Sequence, residues 1–69
     1  MERLIRLPEI LQITGLARST IYKKLSEGRF PRPVNLGGRA VAWLSSDIEN
    51  WINERVAERD RQAAKEGAG

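Results

Sequence analysis

Apolar residues recur at helical spacing in two short segments near the start of the chain. Pro8 stands where the first turn of a helix would begin, and Gly15 ends that apolar pattern, as proline suits a first turn and glycine a helix end. A second segment covers residues 18–27 and stops at Gly28. Ahead of both, apolar and basic residues alternate over residues 3–7, which predicts a short edge strand or an extended lead-in. The pattern therefore predicts two short helices joined by a tight turn.

A β-hairpin is predicted after the second helix. The two prolines within residues 30–33 exclude a helix there, because each holds the preceding residue in an extended conformation. Residues 34–43 then form two apolar-rich runs around a pair of glycines, a pattern typical of a hairpin. A two-residue turn gives two pairs across the hairpin: Leu36 with Arg39, and Val34 with Val41.

The last helix has the clearest start signal. Ser46 and Glu49 have the spacing of a capping box, which predicts that Asp47 opens the helix. Apolar residues follow at helical spacing, namely Ile48, Trp51, Ile52 and Val56. The chain is thus predicted to be mainly α with a small β-hairpin. We expect one domain over residues 1–56, followed by a helix end and frayed tail over residues 57–69.

The predicted core combines the apolar sides of these elements. Trp43 and Trp51 are assigned to it rather than to ligand contacts, because each lies on the apolar side of its element. The other predicted members are Leu4, Ile10, Ile13, Leu16, Ile21, Leu25, Val34, Val41, Ile48 and Ile52.

Composition excludes several classes of function. The 69 residues include no cysteine and no histidine, which excludes a disulfide framework, a Cys/His zinc site and histidine acid–base chemistry. Ser19 therefore has no histidine base, and the chain has no phosphate-binding NTPase loop. We expect neither an enzyme nor a bound cofactor or small molecule. No apolar run approaches the about 18 residues of a membrane helix and no secretory signal is recognisable, so a cytoplasmic location is expected.

Charge is distributed unevenly along the chain. Residues 1–39 hold eight cations against three carboxylates, a net charge of +5, whereas residues 40–69 hold four cations against six carboxylates, a net charge of −2. A basic half joined to a mildly acidic half is typical of a surface that binds a polyanion. A chance excess of arginine on a solvated surface is the alternative from charge alone.

Two short helices joined by a tight turn with a glycine form a helix-turn-helix, whose second helix can enter the major groove of DNA. A hairpin that follows, with an arginine at its tip, is the wing of a winged helix-turn-helix and suits the DNA backbone or minor groove. Tyr22 is expected to be partly buried, with its hydroxyl left for DNA. A helix-turn-helix that binds another protein is the alternative from a different class. The candidate DNA-binding residues are Arg18, Ser19, Thr20, Tyr22, Lys23, Lys24, Arg32, Gly38 and Arg39.

Four motifs stand in order along residues 3–55. They are Arg18-Ser19-Thr20-Ile21-Tyr22, Gly28-Arg29-Phe30-Pro31-Arg32-Pro33-Val34, Leu36-Gly37-Gly38-Arg39-Ala40-Val41-Ala42-Trp43 and Trp51-Ile52. Together they resemble the AlpA family of phage-type transcriptional regulators, a branch of the MerR-like and excisionase-like winged-helix proteins. The resemblance implies a bacterial or prophage protein that binds double-stranded DNA and regulates genes such as that of an integrase. It leaves open an excision factor that bends attachment-site DNA.

One position, Ala17, departs from the family pattern. Ala17 stands where the family more often has serine or threonine as a helix cap, and the loss of that cap costs about 1 kcal/mol of helix stability.

Because one recognition helix contacts only a few base pairs, we expect two or more copies on tandem or palindromic sites. The last helix, from Ser46, is the expected contact between copies.

Overall fold

The computed structural model describes residues 2–67, with side chains described through Ala63, and contains three helices and a three-stranded antiparallel sheet in that part of the chain. The strand order is β1-β3-β2, so that β3 is central. This arrangement confirms the predicted fold class. The elements in chain order are β1 (Leu4–Ile5), α1 (Leu7–Thr14), α2 (Arg18–Ser26), β2 (Val34–Gly37), β3 (Ala40–Leu44) and α3 (Ser45–Gly67).

The turn between α1 and α2 forms where the sequence predicts it. Gly15 ends α1 with φ 70°, in the left-handed region that favours glycine, and its N–H donates to the Leu11 carbonyl over 2.9 Å. The Thr14 hydroxyl donates to the Ile10 carbonyl and accepts from the Leu16 N–H. These bonds satisfy backbone groups that the helix end leaves open, and they fix the direction in which α2 begins.

The second helix is one residue shorter than predicted. It covers Arg18–Ser26, and Glu27 stands at its C-cap with its N–H bonded to the Lys23 carbonyl. Ala17 at the N-cap provides no side-chain hydrogen bond. Packing, rather than capping, therefore holds the start of α2.

The predicted pairing of the hairpin is wrong by one residue. Val34 lies opposite Ala42 and Asn35 opposite Val41, with a register shift between Asn35 and Gly37. The Asn35 side-chain oxygen accepts the Gly37 N–H over 2.7 Å, a local bond that competes with the regular ladder. Leu36 is consequently the extra residue of a bulge. Val34 therefore leaves the face that Trp43 occupies, and it is 38% exposed rather than in the core.

The lead-in forms a short strand against β3. Ile5 pairs with Trp43 and Leu4 with Leu44. Because successive side chains of a strand point to opposite faces, only one of the two β1 residues can be buried. Ile5 is 4% exposed and Leu4 is 43% exposed, so the assignment of Leu4 to the core is wrong and its neighbour takes that place.

The core lies between the three helices and one face of the sheet. Its buried members are Ile5, Leu7, Ile10, Ile21, Phe30, Trp43 and Ile48, with Leu11, Leu16, Leu25, Val41, Trp51 and Ile52 packed against them. Ile13 was predicted to belong here, but it is 45% exposed. Helix α1 has only about two turns, and Ile13 lies next to its last residue, where the side chain extends beyond the core.

Two indole groups fix the segment that joins α2 to the hairpin. The Trp43 indole N–H donates to the Pro31 carbonyl over 2.8 Å, and the Trp51 indole N–H donates to the Arg29 carbonyl over 2.9 Å. The Phe30 ring lies between them, with centroids 6.2 Å from Trp43 and 5.0 Å from Trp51 in edge-on geometry. The segment is thus attached to both the sheet and α3.

The third helix begins earlier than predicted, and a residue near the start of the chain, Glu2, caps its first turn. It starts at Ser45, directly after β3. The Glu2 carboxylate accepts hydrogen bonds from the Ser46 N–H over 2.8 Å and from the Ser45 hydroxyl over 2.9 Å. A carboxylate at this position satisfies an open N–H and complements the helix dipole. The cap is therefore Glu2, and the prediction of a Ser46–Glu49 capping box that opens at Asp47 is wrong.

Beyond the core, α3 continues in one piece to Gly67. The predicted frayed tail at Gly67-Ala68-Gly69 falls mostly outside the described residues. None of the helices in residues 2–67 combines the length and apolar character that crossing a bilayer requires.

Candidate nucleic-acid interface

The second helix has a buried side and an exposed side. Ile21 is fully buried and Leu25 is half-buried, and these two residues attach α2 to the core. At about 100° per residue, Ser19 and Lys23 lie opposite them, and both are exposed. Tyr22 is 51% exposed, so its ring is partly covered. The exposed side of α2 is narrow, polar and cationic.

The other candidate residues divide between the flanks of α2 and the hairpin. Thr20 and Lys24 are half-buried on one flank, whereas Arg18 is exposed at the start of the helix. Gly38 and Arg39 are exposed at the hairpin tip. The structure therefore groups the candidates into the α2 face, the hairpin tip and a third pair, Lys24 with Arg32, that lines a groove.

The candidate cations have no partner carboxylate among the residues whose side chains are described. Within residues 2–63, each carboxylate lies more than 4.0 Å from the charged nitrogens of Arg18, Lys23, Lys24, Arg32 and Arg39. The arginines that do pair lie elsewhere: Arg3 with Glu9, Arg29 with Glu27, Arg55 with Glu54 and Glu58, and Arg59 with Asp60. Cations of the candidate set are thus available to an external anion.

Two cations outside the candidate set, Arg6 and Arg61, are also exposed and lie beyond 4.0 Å from any carboxylate in residues 2–63. Arg6 precedes α1 as its N-cap residue and Arg61 lies on α3, so neither belongs to the α2 face or to the hairpin tip.

The hairpin tip allows close approach of its backbone to another molecule. Gly37 and Gly38 have φ values of 115° and 57°, and no heavy atom of the fold lies within 4 Å of a Cβ built at either. These glycines are therefore required by backbone conformation and not by crowding. Arg39 follows directly and adds its charge at the same place.

A groove of about 820 Å³ separates the segment after α2 from α3. Lys24, Arg29 and Arg32 line one wall, and carboxylates of α3 line the other, namely Asp47, Glu54 and Glu58. Trp51 forms part of the floor, and the Arg55 guanidinium lies 5.3 Å from the centroid of its ring. Charges of opposite sign therefore face each other across the groove.

Comparisons with known proteins agree on one family. The family model described as "Prophage CP4-57 regulatory protein (AlpA)" matches residues 3–56. The chain is 48% identical over 60 residues to "Uncharacterized protein ORF88" of Enterobacteria phage P4, covering 87% of this chain and 68% of that protein. It is 37% identical over 59 residues to "DNA-binding transcriptional activator AlpA" of Escherichia coli (strain K12), covering 77% of this chain and 84% of that protein. No solved structure matches. The chain belongs to the AlpA family of prophage regulatory proteins.

Proposed function

We propose that the protein is a sequence-specific regulator of transcription that binds double-stranded DNA through α2 and the hairpin. The observation that carries the proposal is the set of exposed cations on α2 and at the hairpin tip, which have no carboxylate partner within residues 2–63. The relative named as a DNA-binding transcriptional activator supports the same function. The family model covers residues 3–56, in keeping with a DNA-binding domain over residues 1–56.

In this proposal α2 lies in the major groove. Its exposed side has small residues such as Ser19, which permit close approach, beside Lys23, which is long enough to reach a base edge or a phosphate. Arg18 at the start of the helix has the same reach. Ile21, fully buried, holds the helix at a fixed orientation, which base recognition requires.

The hairpin contacts the DNA backbone or the minor groove. Arg39 brings a cation to a region of negative potential, and Gly38 lets the backbone come close to it. Contacts of this kind position the protein on DNA and add affinity for every sequence alike.

A protein-binding helix-turn-helix would be expected to have an apolar or acidic second helix. The exposed side of α2 instead has Lys23, while Arg18 is exposed at the start of the helix and Lys24 is half-buried on one flank. A regulator and an excision factor would use the same α2 and hairpin, and the named activator among the relatives favours the regulator.

The salt dependence of DNA binding tests the proposal. If four to six cations contact phosphates, the slope of log affinity against log salt concentration is expected to be about −4 to −5. Fluorescence anisotropy with a labelled duplex at several potassium chloride concentrations measures it. A flat response would contradict the proposal, as would unchanged affinity in Arg18→Ala, Lys23→Ala and Arg39→Ala together.

A second copy is part of the proposal, because one α2 contacts too few base pairs for tight specificity. Sedimentation of the protein on DNA with two adjacent sites measures the number of copies. Binding as a single copy under those conditions would remove this element and leave the rest of the proposal intact.

A further inference from the structure

The groove between the segment after α2 and α3 sets one edge of the proposed DNA interface. Lys24 and Arg32 belong to the candidate DNA-binding set, yet both line this groove opposite a wall of carboxylates. A phosphate that approached either cation from the groove side would also approach that wall. The groove is therefore a place where attraction and repulsion for DNA compete.

The carboxylates form a regular stripe along α3. Asp47, Glu54 and Glu58 are seven and four residues apart, and this spacing puts all three on one side of a helix. All three line the groove. Glu54 and Glu58 share a single cation, Arg55, over 3.7 and 3.1 Å. The wall therefore keeps an excess of negative charge after its own pairing.

We propose that the groove wall formed by Asp47, Glu54 and Glu58 repels the DNA backbone and thereby confines DNA to the outer side of α2 and the hairpin tip. This inference rests on the proposed function and adds to it a set of residues that oppose binding. Proteins gain specificity by penalising wrong arrangements as well as by stabilising the right one. Duplex bound in a tilted, non-specific arrangement would place phosphates against the wall, whereas duplex engaged by the outer side of α2 would not.

One consequence concerns the cations themselves. Lys24 and Arg32 face carboxylates across the groove, whereas Lys23 and Arg39 do not line it. Screened attraction across the groove lowers the gain from placing a phosphate beside the first two. Lys23 and Arg39 are consequently expected to contribute more to DNA affinity than Lys24 and Arg32.

The chain offers a matched pair of variants to test the wall. Glu54→Gln with Glu58→Gln removes two carboxylates that line the groove, each near an arginine. Glu49→Gln with Asp60→Asn removes two exposed carboxylates of the same helix outside the groove, one of them also near an arginine. Both double variants raise the net charge by two, and each removes the carboxylate partners of one arginine, Arg55 in the groove variant and Arg59 in the control. They therefore differ mainly in whether the change lies inside or outside the groove.

Affinity for a labelled 24-base-pair duplex of random sequence is measured for the wild type and both double variants, with thermal unfolding confirming that each is folded. At 0.1 M salt the groove variant is expected to bind about threefold more tightly than the control variant, and the difference is expected to vanish near 0.5 M salt, where screening is short-ranged. Equal affinities of the two variants, or weaker binding by the groove variant, would overturn the inference and leave the proposed function in place. Absence of DNA binding by all three proteins would overturn both.

Discussion

The two parts of the proposed interface are both cationic, with three cations on α2 and one on the hairpin. They differ in how the fold supports them. Helix α2 is attached through Ile21, which is fully buried, and through Leu25. Strand β2 of the hairpin is exposed at every residue, and Leu36 next to its tip is 46% exposed. The position of α2 is therefore set by the core, whereas the hairpin tip depends on its own backbone hydrogen bonds. We infer that α2 is suited to selecting a sequence and the hairpin to adding general affinity.

The largest expected effect is on stability and separates the two parts directly. Ile21→Ala is expected to lower the free energy of unfolding by about 2–5 kcal/mol, because it opens a cavity in a small core. Leu36→Ala, which removes an exposed side chain, is expected to change it by less than about 0.5 kcal/mol. Chemical denaturation monitored by tryptophan fluorescence measures both. A similar loss in the two variants would show that the hairpin is as strongly packed as α2.

The next effect concerns specificity. Lys23→Ala is expected to reduce the discrimination between the preferred duplex and a random one by about 1–3 kcal/mol if Lys23 contacts a base edge. Arg39→Ala is expected to weaken binding to both duplexes equally, since a contact to phosphate has no sequence information. Selection of preferred sequences from a random pool, followed by competition binding, provides the two affinities. The reverse assignment of the two effects would exchange the roles proposed for α2 and the hairpin.

The smallest expected effect is on the pH dependence of stability, and it comes from carboxyl groups outside α2 and the hairpin. Hydrogen bonds from the backbone and side chain of Ser46, and from Ser45, hold the pKa of the Glu2 carboxyl below its ordinary value of 4.5. A hydrogen bond from Arg3 lowers the pKa of Glu9 in the same way. Groups whose pKa is lower in the folded protein add stability above their unfolded pKa and lose it as the pH falls through the folded value.

We therefore expect the melting temperature to decline below about pH 4.5, by a modest amount because both carboxylates are exposed. Glu2→Gln is expected to flatten this decline, and Glu49→Gln serves as a control from the same helix region. Differential scanning calorimetry between pH 3 and 7 gives the comparison. An unchanged pH profile in Glu2→Gln would show that the cap adds no measurable stability.

Local signals in the sequence were sufficient to predict where helices and strands lie. They were not sufficient to predict which distant residues contact them. Gly15 and Gly28 mark the helix ends correctly, because a left-handed residue after a helix is a local requirement that glycine meets. The cap of α3 could not be found in this way, since Glu2 is far from Ser46 in sequence. Likewise the hairpin register depends on the bond between the Asn35 side chain and the Gly37 N–H, which shifts the pairing and exposes Val34.

In the candidate site, too, local patterns predict which side chains are exposed but not which distant residues lie near them. Alternation and helical spacing were enough to place Ser19 and Lys23 on the exposed side of α2. They gave no indication that Lys24 and Arg32 share a groove with the carboxylates of α3, because that neighbourhood is created by the packing of Phe30 and Trp51. Partners that are distant in the chain become visible only in three dimensions.

The two indole hydrogen bonds to the carbonyls of Arg29 and Pro31 have a consequence for target geometry. They attach the connection between α2 and β2 to the sheet and to α3, which limits how far the base of the hairpin can move relative to α2. One base pair inserted between the positions contacted by α2 and by the hairpin would shift them by about 3.4 Å along the duplex and rotate them out of phase, and we expect that insertion to weaken binding.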